Sequence, residues 1–487
     1  MLENEFHKLE EKQEIRTTIS QIRKEIKKQD SKKAFLELLQ GKESMIVDFL
    51  SEEDAKTRKN TALLIGDLKL EQAKEALIAA YLNETTLYVK SAYLTALGKL
   101  DVRENLEFFK NRLQEVQKHQ GEEIRELNEI ILKTEGAKKH QFTGFQMPHE
   151  MLLLTNREQR EVTLSEVKEI GASVQRKAEL HPLGVLVFSK EVTPFTKLRT
   201  YRELLFPIHT NERIPAMPHR AAELLWHSDL YAFLTECHEG DAPFFFRLEV
   251  KSAEPKTEFV KKLGASLEKK SDWKLANSTT DYEIEIRLIE AKDGSFVPFL
   301  KLYSMKMKRF AYRKNAIAMS IHPATAAMLM YLAKPYLKEN AQILDPCCGV
   351  GTMLIERDIL VPAREKYGID IFGDAIDMAR ENAALAGEKI NFIHRDYFDF
   401  KHDYKFDEIV TNMPVKGKKA KEDMDAFYAR FFEKSKSLLA EDGIIIMYSN
   451  EVGFVKKQLR LQPCYRLIQE YTIRKKDSYC LFIIGMK

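Results

Sequence analysis

The sequence predicts a multidomain chain: an α-helical repeat domain over 1–140, an α+β middle over 145–310, and an α/β domain with a doubly wound sheet over 311–487. Three observations carry this expectation. The first stretch has almost no proline or glycine and repeats apolar residues at helical spacing. From about 145 the texture changes to short apolar runs mixed with helices. Beyond about 316, strand and helix alternate, the pattern of a mostly parallel sheet covered on both faces.

The N-terminal domain carries a repeat. "TRKNTALLIGDLKLEQAKEALIAAYLNE" aligns with "YVKSAYLTALGKLDVRENLEFFKNRL", bringing Gly66 over Gly98 and Leu68 over Leu100. Each copy reads as helix, glycine turn, helix. Such a unit cannot bury its apolar face alone and stacks on its neighbours. In period and turn it resembles HEAT repeats; a plain helical bundle is the alternative.

The middle contains strand runs "EMLLLTN", "GVLVFSK" and "FFFRLEV", and the run "YEIEIRLIEAKDGSFVPFLKLY" reads as a hairpin turning at Asp293-Gly294. "EPKTEFVKKLGASLEKKS" reads as an amphipathic helix with its lysines in water. No residue set there looks catalytic.

Bulk properties exclude several classes. Lys and Arg number 77 against 74 Asp and Glu, so a polyanionic partner must be sought in local clusters rather than in net charge. Five cysteines show no CxxC pair, which fits a reducing cytoplasm. Cys347-Cys348 lacks companion ligands at zinc spacing, so no metal is expected. "MLENEFHKLEEKQEIR" has no apolar core of a secretory leader, and the longest apolar stretch, 316–333, is broken by His322-Pro323. No membrane contact is expected.

The chemistry gathers at successive strand ends of the last domain, where ligands of doubly wound sheets bind. "ILDPCCGVGT" places Asp345 at the end of the first strand, with Gly349 and Gly351 before a helix. Glycines there let the backbone approach a ligand. The second strand ends at Asp370, suited to ribose hydroxyls, and the third at Asp396, suited to an adenine amine. The fourth ends at Asn412. The third glycine of a dinucleotide fingerprint is missing and no Walker lysine follows. An adenosine-bearing methyl donor suits the order better than a dinucleotide.

"LDPCCGVGT…GIDI…AIDMARENAALAG…INFIHRDYFDF…FDEIVTNMP" resembles the class I S-adenosylmethionine-dependent methyltransferases. Among these it is most similar to the THUMP-domain RNA methyltransferases, specifically over 309–450. The resemblance implies a Rossmann-like C-terminal domain with S-adenosylmethionine held by Asp345, Pro346, Gly349, Gly351, Thr352, Asp370, Ile371, Asp396 and Tyr397. It implies ferredoxin-like and THUMP-like RNA-binding regions in the middle, and a guanosine base nitrogen of tRNA, or of rRNA, as methyl acceptor.

The family's Asn/Asp-Pro-Pro-aromatic motif falls on Asn412, Met413, Pro414 and Val415, the implied catalytic group. Asn412 and the next carbonyl would accept from the reacting amine, while the aromatic would stack on the flipped base. Valine cannot stack, which forfeits roughly 1–3 kcal/mol of base–aromatic contact; Tyr397 is a candidate substitute. Arg309, Arg313, Lys416, Lys418 and Lys419 would meet RNA phosphates, or form a solvated cluster. Two rival expectations stand: an RNA-binding adaptor that keeps the pocket without the chemistry, and a methyltransferase of DNA or protein. The helical domain would contact protein or RNA.

Overall fold

The computed structural model describes residues 2–116, 120–135, 139–170, 177–240, 243–415 and 424–487. Lys416, Lys418 and Lys419 therefore lie outside the described residues. Backbone contacts divide the chain into two units: 1–142 with 208–298 and 302–304, and 143–207 with 299–301 and 305–487. The middle region, expected as one piece, is thus shared between them.

In the first unit, helices from Leu2–Glu10 to Gly121–Glu135 share one apolar core. Of the two aligned glycines, Gly66 departs from the expected turn. Gly66 lies inside the helix Ala55–Leu68, where an added Cβ would stand 2.8 Å from the Ala96 Cα. The turn itself falls at Lys69, whose φ is 59°. Gly98, by contrast, caps the helix Leu87–Leu97 in the expected turn, and a Cβ there would come nearest to the Ile130 side chain, at 3.3 Å. Gly66 is therefore a place where one helix seats closely on the next, and a side chain would push the pair apart.

The same unit contains the strands Phe244–Lys251, Leu275–Asn277 and Ile284–Glu290, the first paired in parallel with the other two. The hairpin after them turns at Gly294 with φ 79°, as the sequence predicts. His140, at the end of the helical stretch, is clamped to this sheet. Its backbone N–H donates to Glu283 Oε2 at 2.7 Å, its Nδ1 lies 2.8 Å from Oε1, and its ring stacks on Phe244 at 3.7 Å.

In the second unit, residues 143–207 form strands His149–Leu154, Lys177–His181, Gly184–Ser189 and Glu203–Pro207 with the helix Arg160–Glu169. Val162 of that helix enters the core under the C-terminal sheet, beside Met328 and Ile446. That burial explains why this stretch keeps company with the last domain.

The C-terminal sheet has strands β1 (Gln342–Asp345), β2 (Glu365–Asp370), β3 (Asn391–His394), β4 (Phe406–Asn412), β5 (Leu439–Ser449), β6 (Tyr465–Arg474) and β7 (Tyr479–Met486). Their order is β3-β2-β1-β4-β5-β7-β6, with β7 antiparallel to β5 and to β6. The helices are α1 (Pro323–Ala333), α2 (Thr352–Leu360), α3 (Gly373–Ala386), α4 (Met424–Leu438) and α5 (Val452–Leu461). Every strand run expected from the sequence of this domain is present, and the last two form the expected edge hairpin.

Below the strand ends a buried ion pair ties α2 to β4. The Arg357 guanidinium donates to both oxygens of Glu408 at 2.8 and 2.7 Å, and both side chains are wholly buried. No helix among the described residues is long and apolar enough to cross a membrane.

Candidate active site

The turn after β1 is built by its two glycines. Gly349 and Gly351 have φ of 51° and 82°, a region that L side chains rarely adopt. At Gly351 a Cβ would also strike the Phe392 ring at 2.9 Å, whereas at Gly349 it would meet nothing within 4 Å. The turn thus leaves open space over Gly349, and that space is the mouth of a cavity of about 280 Å3.

Three strand ends face this cavity: Asp345 of β1, Asp370 of β2 and Asn412 of β4. Asp345 is buried. Its Oδ1 accepts from the Cys347 N–H at 3.1 Å, and its Oδ2 has no hydrogen-bond partner. Burial pushes this carboxyl up to about 8, outweighing the Cys347 N–H and the Thr411 hydroxyl. Thr352, first in α2, also keeps a buried hydroxyl without a partner. Asp370 accepts from the Gly349 N–H at 2.8 Å and from the Phe372 N–H at 3.0 Å, which shapes the turn as well as the cavity wall. The thiols of Cys347 and Cys348 are pushed well up by burial, the nearby carboxylates adding to it, so neither is a nucleophile.

The motif residues Asn412, Met413, Pro414 and Val415 all line the cavity, and the Asn412 carboxamide makes no hydrogen bond among the described residues. Met413 donates its N–H to the Tyr448 carbonyl at 2.9 Å and buries its side chain against the α4 side of the sheet. A second cavity of about 280 Å3 shares Met319, Ser320, Ile321, Asn412 and Val415 with the first. Its other walls include Arg202, His322, Tyr448, Arg474 and Tyr479.

Several expected site residues sit elsewhere. Tyr397 is buried, its hydroxyl 2.9 Å from Ser435 Oγ and its ring 5.7 Å from Phe431, so it lines neither cavity and cannot replace the missing aromatic. Asp396 turns to cap the Phe398 N–H at 2.9 Å. Pro346 and Ile371 are not among the cavity walls; Ile371 and its neighbour Phe372 are exposed, and Phe372 does line the cavity.

Arg309 does not reach for phosphate. It donates to the carbonyls of Leu198, Tyr201 and Arg202 at 3.0, 2.5 and 2.7 Å, and stacks on the Tyr201 ring at 3.7 Å. Arg313 donates to the Ile321 carbonyl at 3.0 Å. It is thus Arg313 that bonds the segment carrying Met319 to His322, while Arg199 forks onto Glu356 of α2 at 2.8 Å through each of two nitrogens and donates to the Arg309 carbonyl at 2.7 Å. Tyr448, Tyr479, His322 and Arg202 were missed in the sequence.

The strand order and the acid-lined turn give the C-terminal domain a Rossmann-like fold with its cavity at the strand ends. Residues 311–476 match the family model described as RMKL-like methyltransferase domain, UPF0020. The tRNA (guanine(10)-N2)-dimethyltransferase of Methanothermobacter thermautotrophicus is 33% identical over 162 residues, 33% of this chain and 46% of that enzyme. The U6 snRNA (guanine-N(2))-methyltransferase THUMPD2 of Bos taurus is 26% identical over 192 residues, 39% of this chain and 36% of that protein. The chain therefore spans less than half the length of either relative. Among solved structures, TrmN from Thermus thermophilus superposes with a TM-score of 0.50 at 18% identity, covering 70% of this chain and 99% of that one, a likeness of fold.

Proposed function

We propose that this protein is an S-adenosylmethionine-dependent RNA methyltransferase acting on a base nitrogen of guanosine in tRNA, or in rRNA. One observation carries the reading: the two cavities that meet at Asn412 have opposite electrostatic linings. The acidic side chains of the first are Asp345 and Asp370, Asp345 becoming ionised against a bound cation because burial pushes its carboxyl up to about 8; the cations of the second are Arg202 and Arg474. An acid-lined cavity suits a cationic methyl donor, and a base-lined one suits a phosphate-bearing acceptor.

The donor set fits the cofactor. The partnerless Asp345 Oδ2 would accept from its ammonium group, and Asp370 would accept from its ribose hydroxyls beside the open space at Gly349. When bound, S-adenosylmethionine supplies an electrophilic methyl on a sulfonium. Asn412 would accept a hydrogen bond from the reacting amine, with the Met413 carbonyl as second acceptor. Those bonds draw the amine protons aside and aim its lone pair at the methyl. Methyl transfer to the nitrogen would leave the sulfur neutral and place the surplus proton on the amine held by Asn412 and the Met413 carbonyl, from which it would pass to solvent. Catalysis is positioning and electrostatics, without a strong base.

In the same reading, 143–207 is ferredoxin-like and the sheet around Phe244–Lys251 is THUMP-like, and both serve RNA. The N-terminal helices act as a HEAT-like module for a protein or RNA partner. The protein works in the reducing cytoplasm, which keeps its five free cysteines as thiols. Mass spectrometry of nucleosides from a strain lacking the protein should show one methylated guanosine missing from tRNA or rRNA, restored by the purified enzyme. Unchanged nucleosides, with methyl incorporation resistant to ribonuclease, would move the acceptor to DNA or protein.

A further inference from the structure

The second cavity holds two neutral hydrogen-bond donors that nothing in the described residues engages. Tyr448, on β5, is only 5% exposed, and its ring stacks on Tyr479 of β7 at 4.8 Å and 28°. Its hydroxyl lines the cavity without a partner among the described residues. Burial holds this phenol up to about 12, so the hydroxyl keeps its proton at neutral pH. His322 caps α1: its Nδ1 accepts from the Ala324 N–H at 3.1 Å. A neutral ring that accepts at Nδ1 carries its proton at Nε2. Burial, with Arg202, Arg313 and Arg309 nearby, pushes this imidazole down to about 4, so it is neutral and its Nε2–H is the remaining donor.

Two neutral donors with Asn412 on the same cavity make a pattern that a nucleobase can match or fail. Guanine presents two adjacent acceptors, O6 and N7, on the edge away from its 2-amine. Adenine presents N7 beside a donor, N6, and would set donor against donor. A buried donor left unmatched is costly, so discrimination of this kind is strong.

We propose that Tyr448 and His322 are base-reading residues that donate to the O6 and N7 edge of the acceptor guanine while Asn412 holds its 2-amine. The inference rests on the reading of the site as a guanosine methyltransferase. It also accounts for the absent aromatic at Val415. The base is fixed at its edge by two donors, so a stacking ring after Pro414 is not required. Arg202 and Arg474 stay free of this task and available to phosphates; Arg474 stacks on Tyr479 at 4.3 Å and pairs with Asp477 at 2.7 Å.

Two substitutions separate the roles. Tyr448→Phe keeps the stack on Tyr479 and removes the hydroxyl. His322→Asn keeps the helix cap, since asparagine caps well, and removes the Nε2–H. The nucleotide methylated by the full-length enzyme in an unmodified tRNA pool is located by fragment mass spectrometry. Synthetic RNAs are then made with guanosine or 2-aminopurine riboside there; the latter keeps the 2-amine and lacks O6. Wild-type enzyme should prefer guanosine by about tenfold or more in kcat/KM. The variant that loses the O6 donor should fall about tenfold on guanosine and little on 2-aminopurine, and the variant that loses the N7 donor should fall about tenfold on both, since 2-aminopurine keeps N7; cofactor affinity should be unchanged in each. Equal wild-type rates on the two RNAs, or a preference kept by both variants, overturn the inference alone. Absence of any guanosine methylation by wild type overturns the function reading and the inference with it.

Discussion

The two cavities beside Asn412 have the same size and opposite character. One is walled by a glycine turn and two carboxyl groups, and its partnerless buried atoms are acceptors or hydroxyls. The other is walled by side chains from four strand ends and a helix cap, and its polar groups include neutral donors and two arginines. On the proposed reading, the difference teaches how one site can favour two ligands of opposite charge: acids face one cavity, arginines the other, and the neutral carboxamide of Asn412 stands at their boundary.

The comparison breaks most visibly at that boundary. Asn412→Ala should lower methyl incorporation into unmodified tRNA by roughly a hundredfold or more, while cofactor affinity stays within a few-fold of wild type. Tritiated methyl incorporation and calorimetry measure the two quantities; full incorporation would leave the asparagine as a strand end only.

On the acid side, Asp345 carries a pH signature. Its carboxyl is pushed up to about 8 in the ligand-free protein and should be ionised against the cofactor's ammonium. Binding below about pH 8 must then release a proton, so affinity should rise with pH and level off above that value. Calorimetry in buffers of differing ionisation heat should find close to one proton released at neutral pH. Asp345→Asn should abolish that release and weaken binding by roughly tenfold to a hundredfold.

Asp370→Ala should weaken cofactor binding by one to two orders of magnitude, equivalent to roughly 1.5–3 kcal/mol, without the proton signature. Wild-type affinity in a folded variant would remove Asp370 from the ribose. The smallest effect is expected at Val415, which lines both cavities. Val415→Tyr should slow turnover about three- to tenfold, because the ring crowds space that the base needs. Faster turnover would mean that the second cavity lacks an aromatic contact it can use.

Half of this site was readable in the sequence, and the half follows from chain order. Asp345, the glycines and Asp370 lie within one strand–helix–strand stretch, where spacing alone brings them together. The second cavity draws on Arg202, His322, Tyr448 and Tyr479, residues far apart in the chain that meet only through the strand order β4-β5-β7 and the segment over it. Tyr397 misled because nearness to Asp396 says nothing of direction; it faces the α4 core. Gly66 misled because a glycine between helical runs reads as a turn, while here it admits a neighbouring helix.

The buried link between Arg357 and Glu408 bears on how such a site can diverge. β4 pairs with β1 through Ile343 opposite Glu408 and Leu344 opposite Ile409, and Glu408 lies four positions before Asn412. Inserting or deleting one residue in β4 would turn Glu408 to the other face and leave the wholly buried guanidinium with only the Lys338 and Val361 carbonyls and no counter-charge, at a cost of roughly 3–5 kcal/mol. The offset between Asp345 and Asn412 is thus locked against length change within the strands, and a one-residue insertion in β4 should cost stability before it changes any activity.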